Sequence, residues 1–131
     1  MIDLPPVASP ERPSILIVDD EEPFLAMLRE SFADHFELVT VTSAAEAEQL
    51  MALHRFNVVV CDYLMPGEMG LEFLMRSQQR WPQTRRILLT GYINPDMLSR
   101  SIHLAALSSC LIKPVRPAEL ADAIRAALNA P

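Results

Sequence analysis

Basic charge is scarce in this chain. Eleven Lys and Arg stand against seventeen Asp and Glu, giving a net charge of −6 and a pI near 4.9. A nucleic-acid surface needs clustered cations to neutralise phosphates, and here only Arg85 and Arg86 are adjacent. Long apolar runs are also missing: nothing nears the roughly 20 residues that span a bilayer, and the N-terminus lacks the basic and apolar stretches of a signal peptide. A cytoplasmic protein with no direct nucleic-acid or membrane partner is expected. Cysteine is nearly absent. Cys61 and Cys110 both fall inside strand-like runs rather than at metal-ligand spacing, so each reads as a small buried hydrophobe. No internal repeat or low-complexity tract interrupts the chain.

What is present is a chain of 131 residues, half of them hydrophobic, which suits one domain with one core. Pro5, Pro6, Pro10 and Pro13 among small and charged residues resist both helix and strand, so residues 1–13 are expected to form a flexible leader and residues 14–129 the folded domain. From Ser14 onward, Val-, Ile- and Leu-rich runs alternate with segments of helical period. Strands are expected at 14–18, 37–41, 57–61, 86–90 and 109–112. Helices are expected over about 21–33, 43–54, 71–79, 95–107 and 117–128. Ser43 and Glu46 form a capping-box pattern, and Asn94-Pro95 an N-cap with a first-turn proline. Trp81, before Pro82, is expected to pack at the end of the third helix.

Five strand–helix units with nearly unbroken apolar strands imply an α/β parallel sheet covered on both faces, with right-handed connections. The flavodoxin-like strand order 2-1-3-4-5 is preferred, because its switch point lies between the first and third strands. Every chemically distinctive residue then falls at a carboxyl end: Asp19 and Asp20 after the first strand, Asp62 after the third, Thr90 after the fourth, Lys113 after the fifth. Cys61 and Cys110 would be separated by one strand, roughly 9–10 Å, which is too far for a disulfide.

Two adjacent acids after a strand can simply cap the next helix. Asp62 beside them changes the balance, since three converging carboxylates repel unless a cation sits among them, and hard oxygen ligands suit Mg²⁺. Asp62 can accept a phosphoryl group as an acyl phosphate. Lys113 supplies a point charge for one phosphoryl oxygen, and Thr90 a hydroxyl on the opposite side. Pro114 and Pro117 flank the Lys113 turn, where a cis Lys113-Pro114 bond would aim the ammonium inward. His35, His54 and His103 share no metal-binding spacing and are expected at the surface or at helix ends.

The segments Ile15-Leu16-Ile17-Val18-Asp19-Asp20-Glu21, Cys61-Asp62-Tyr63-Leu64-Met65-Pro66, Leu88-Leu89-Thr90-Gly91 and Leu111-Ile112-Lys113-Pro114 resemble the receiver domain of two-component response regulators. The resemblance runs from Ser14 to about Leu128. It implies that Asp62 takes a phosphoryl group from a phosphohistidine on a sensor histidine kinase or phosphotransfer protein. It implies Mg²⁺ on Asp20, Asp62 and the backbone carbonyl of Leu64, with Asp19 assisting through water. Thr90 and Lys113 would hold the phosphoryl oxygens. The signal would leave through the face of the fourth helix, fifth strand and fifth helix toward an effector protein or attached output domain. Met97, Leu98, Ile102 and Leu111 make that face apolar enough for an activation-dependent homodimer.

Some positions depart from the family pattern. Cys110 stands where an aromatic switch residue is usual, with Tyr92 as a candidate substitute. Met69-Gly70 replaces Asp-Gly, and Ala106 replaces a glycine that commonly ends the fourth helix, so a different turn is expected there. Leu64 and Tyr92 occupy the two family positions that flank the approach of water to the phosphoryl group, and leucine cannot orient an attacking water, so slow to moderate self-dephosphorylation is expected. Two other readings are a receiver-like docking domain that ignores phosphorylation, and a Mg²⁺-dependent phosphohydrolase. The latter lacks the second acid–base carboxylate and substrate pocket it would need.

Overall fold

The computed structural model describes residues 12–91 and 94–131. The expected leader, apart from Arg12 and Pro13, and the Tyr92 substitution both lie outside the described residues.

Among the described residues, strands β1 (Ser14–Val18), β2 (Glu37–Val41), β3 (Val58–Asp62), β6 (Arg85–Thr90) and β7 (Ser109–Ile112) form a five-stranded sheet in the order β2-β1-β3-β6-β7. All four pairings are parallel. Counting these strands alone, the order is the expected 2-1-3-4-5. Helices α1 (Glu22–Phe32), α2 (Ala44–Leu53), α3 (Gly70–Arg80) and α4 (Pro95–Leu104) supply the four crossovers, and α5 (Pro117–Asn129) follows the last strand. The two short strands β4 (Leu64–Met65) and β5 (Glu68–Met69) pair antiparallel between β3 and α3.

Strand periodicity splits the core into two layers. Ile15, Ile17, Val58, Val60, Ile87 and Leu89 face α1 and α5, where they meet Leu25, Leu28, Phe32, Leu120 and Ile124. Their neighbours Leu16, Val18, Val59, Cys61 and Leu88 face the opposite layer and meet Ala47 and Met51 of α2 with Phe73 and Leu74 of α3. Because both faces are covered, β1 and β3 are buried along their whole length. Cys61, Leu88 and Cys110 stand in one register row, so Leu88 separates two free thiols. Burial pushes both thiols above their ordinary range, the neighbouring Asp62 and Asp19 adding to the effect at Cys61. Leu53, the last residue of α2, is 72% exposed, because the helix ends there.

Local signals act as the sequence suggests, with two exceptions. Ser43 accepts from the Glu46 backbone N–H at 3.2 Å, and Asn94 from that of Met97 at 3.1 Å, each relieving an orphan donor of its helix. Glu46 does not reach back to the Ser43 backbone; its carboxylate accepts the Ser43 hydroxyl at 3.1 Å. The other exception is the end of α4, three residues short of the expected boundary. Ala106 takes the left-handed conformation, φ 48°, that glycine adopts more cheaply. Leu107 N–H donates to Ile102 O at 3.0 Å and Ala106 N–H to His103 O at 3.4 Å, the two bonds of a Schellman turn. The alanine therefore does not change the turn; it makes the same turn at greater conformational cost.

Arg86 helps to hold it. Its buried guanidinium donates to Ala105 O at 2.9 Å, Ala106 O at 3.3 Å and Thr84 O. Burial, with Arg85 adding repulsion, lowers its pKa, and the carbonyl end of α4 offers a matching negative pole. His54 caps α2, and His103 sits exposed in the last turn of α4. Trp81 caps α3, half-buried, with the Arg80 guanidinium 4.4 Å from its ring centroid.

Candidate functional site

Parallel pairing brings the carboxyl ends of β1, β3, β6 and β7 together at one edge of the sheet. There Asp20, Glu21, Asp62, Tyr63, Leu64, Thr90, Gly91 and Lys113 line an open cleft of about 470 Å³. Four of the five side chains singled out from the sequence thus meet in one place. The fifth, Asp19, lies fully buried behind the wall.

Asp19 commits both oxygens within the protein. One accepts from the Glu21 N–H at 2.8 Å, which turns the chain into α1; the other accepts from Lys113 Nζ at 2.8 Å. Lys113 Nζ also stands 3.3 Å from Asp62 and 3.2 Å from Glu21, and 5.3 Å from the centre of the Phe24 ring. The Lys113–Pro114 bond is cis, and the Lys113 N–H donates to Thr90 O at 2.8 Å, tying the ends of β6 and β7 together. Burial alone would lower the pKa of this lysine, but the hydrogen bond and charge of Asp19, with Asp62 and Glu21, more than compensate and raise it.

The same surroundings favour the neutral form of Asp62. Burial raises its pKa to about 6 against the pull of Lys113, with Asp19 and Asp20 adding like-charge repulsion. Carboxylate oxygens of Asp19, Asp20 and Asp62 lie within 4.8 Å of one another. Three acids this close, answered by one ammonium, leave a surplus of negative charge that a hard divalent cation with oxygen ligands would neutralise. The donor chemistry fits Mg²⁺: Asp20 is exposed at the cleft, and Asp62 and Leu64 line it too.

Two supporting features were not apparent in the sequence. Gly70 opens α3 directly against the Asp62 backbone: a Cβ there would stand 1.9 Å from Asp62 O, so no larger residue fits without moving the strand end. Its N–H donates to Tyr63 O at 2.8 Å and closes the base of the β4–β5 hairpin. The turn of that hairpin has Pro66 second and Gly67 third, with Gly67 at φ 87°, as a type II turn asks. Glu21 is the other: it follows the acidic pair immediately, yet its bond to Lys113 comes from a strand 92 residues away and has no local signature.

The description "Response regulator receiver domain" matches residues 15–125. The chain is 34% identical over 122 residues to the hydrogenase transcriptional regulatory protein HoxA of Cupriavidus necator, covering 93% of this chain and 25% of that protein. It therefore spans about a quarter of the length of that relative. Sporulation initiation phosphotransferase F of Bacillus subtilis is matched nearly end to end, at 30% identity over 85% of this chain and 90% of that one. Among solved structures, the signal receiver domain of an HD domain-containing protein from Pseudomonas fluorescens Pf-5 superposes with a TM-score of 0.83 at 32% identity, covering 95% of this chain and 93% of that chain. The chemotaxis response regulator CheY4 of Vibrio cholerae shares the fold with a TM-score of 0.82 at 24% identity, covering 89% of this chain and 99% of that chain. A doubly covered parallel sheet with acids, hydroxyl and lysine gathered at its switch point is thus found in the company of its kind: this chain belongs to the response regulator receiver domain family.

Proposed function

We propose that Asp62 is the phospho-acceptor of a Mg²⁺-dependent switch in phosphorelay signalling. The observation that carries this reading is the convergence of Asp20, Asp62, Thr90 and Lys113 on one cleft from four different strand ends. An Asp62 carboxylate oxygen attacks the phosphorus of a phosphohistidine on a sensor kinase or phosphotransfer protein. The N–P bond breaks, its electron pair returns to the imidazole, and an acyl phosphate forms. Asp20, Asp62 and the Leu64 carbonyl would hold Mg²⁺, with Asp19 assisting through water, and the ion would supply positive charge against that of the transferred group. Lys113 exchanges its contact with Asp62 for a phosphoryl oxygen while Asp19 keeps it in place. Thr90 approaches another phosphoryl oxygen and carries the change to the α4–β7–α5 face, where an effector protein or output domain reads it. The domain carries out this transfer and the hydrolysis that ends the signal, in which water takes the phosphoryl group, inorganic phosphate leaves and the Asp62 carboxylate is restored; its setting is the cytoplasm.

Beryllofluoride, a stand-in for the phosphoryl group, tests the arrangement. With Mg²⁺ it is expected to move the backbone amide resonances of Thr90 and Lys113 in the wild type and to leave Asp62→Asn unchanged. Equal shifts in both proteins would contradict the assignment of Asp62.

A further inference from the structure

The β4–β5 hairpin carries Leu64 at its start, two residues after Asp62, and turns back at Pro66-Gly67. Its base is closed by Gly70 N–H on Tyr63 O. Its far strand is held from outside by one side chain. Arg76 of α3 grips Glu68 with both ends of its guanidinium, at 2.7 and 2.6 Å, and the same guanidinium pairs with Glu48 of α2. Arg80, one turn further along α3, adds a second contact to Glu48 at 3.4 Å. Two-point contact of this kind fixes orientation as well as distance. Glu68 is cross-strand partner to Met65, whose side chain is buried in the core. A pull on Glu68 is thereby transmitted to the strand that presents the Leu64 backbone.

We infer that Arg76 is a positioning residue for the cation site: by clamping Glu68 to α3 and, through Glu48, to α2, it fixes the β4–β5 hairpin so that the Leu64 carbonyl faces Asp20 and Asp62. The inference rests on the proposed cation site and adds a part to it that no strand-end motif contains. Arg76 touches neither cation nor phosphoryl group. It acts only through the backbone of the hairpin, as outer partners of metal ligands do, and removing such partners weakens metal binding by about 10-fold or more.

Mg²⁺ binding by calorimetry and amide hydrogen exchange over residues 63–69 test this in the full chain, using wild type, Arg76→Ala, Glu68→Gln and the double variant. Each single variant is expected to weaken Mg²⁺ binding about 10-fold and speed exchange in the hairpin, while exchange in β1, β3 and β6 stays as in wild type. The double variant is expected to match the single variants, because both remove one clamp. Arg76→Lys, with a point charge in place of the fork, is expected to recover only part of the affinity. Wild-type Mg²⁺ affinity and hairpin protection in Arg76→Ala would overturn the clamp while leaving the cation site standing. A wild type that takes up no Mg²⁺ would overturn the cation site itself, and the positioning role with it.

Discussion

The cleft raises the pKa of both Asp62 and Lys113, favouring the neutral acid at one and the charged ammonium at the other, and the Asp62 shift makes the site sensitive to pH. Burial raises the Asp62 pKa to about 6, above the unfolded value of 3.8, so between those values the folded chain keeps a proton that the unfolded chain releases. The folded state then binds more protons than the unfolded one, and stability falls as pH rises through that window. In Mg²⁺-free buffer, melting curves from pH 4 to 7 should show wild type losing up to about 3 kcal/mol relative to Asp62→Asn. Parallel curves for the two proteins would contradict the shift. Leu64, 61% exposed at the cleft mouth, has no group to orient an attacking water. Phospho-Asp62 should accordingly persist for minutes or longer in purified protein, and Leu64→Asn should shorten its lifetime; a wild-type lifetime of seconds would contradict this. The residues named from strand-end position alone, Asp19, Asp20, Asp62, Thr90 and Lys113, were legible because a parallel sheet exposes the carboxyl ends of its strands in a fixed place. Glu21, Phe24 and Arg76 were not, because their contacts depend on side-chain reach across elements. The division of labour within the acidic pair was also hidden: Asp19 is committed to Lys113 and Glu21, whereas Asp20 faces the cleft.

Among the elements, the five sheet strands matched expectation within one residue at either end, since buried parallel strands read as continuous apolar runs. Element ends governed by turn geometry were less legible. Residues 64–69, between the expected third strand and third helix, form the two-residue strands of a hairpin that has no extended apolar run to announce it. The apolar pattern of α4 ran on to Leu107, which packs in the core from beyond the helix, while the helix itself stops at Leu104. Ala106 pays for that stop at φ 48°, and the expected stabilisation on Ala106→Gly is about 0.5–1 kcal/mol, the left-handed strain relieved less the extra freedom of unfolded glycine. Thermal unfolding should rise by roughly 2–4 °C. A lower melting temperature would mean that Arg86 and the Schellman bonds already hold the turn without strain.

Across the whole molecule, the ends of the sheet do different work. The carboxyl edge carries the acidic cleft, and the α4–β7–α5 side presents partly covered apolar groups, among them Ile102 at 43% exposure, with Met97, Leu98 and Leu111 half-buried around it. We propose that activation pairs two copies through this side. Light scattering before and after beryllofluoride with Mg²⁺ is expected to show a shift from monomer toward dimer mass, and an unchanged mass would contradict the pairing. Cys110, half-buried against the second core layer, leaves this side without the aromatic switch residue usual in the family, so rearrangement there cannot follow the swing of a ring at that position. The fold was legible as a whole because strand pattern and connection handedness leave few arrangements. The output was not, since it belongs to surfaces whose partners no local pattern identifies.

Whether Asp62 accepts the phosphoryl group is read from the intact-protein mass after incubation with acetyl phosphate. In the presence of Mg²⁺, wild type should gain the mass of one phosphoryl group while Asp62→Asn gains none, and chelation of Mg²⁺ should abolish the gain. Equal labelling of both proteins, or no labelling of a wild type that binds Mg²⁺, would contradict Asp62 as the acceptor.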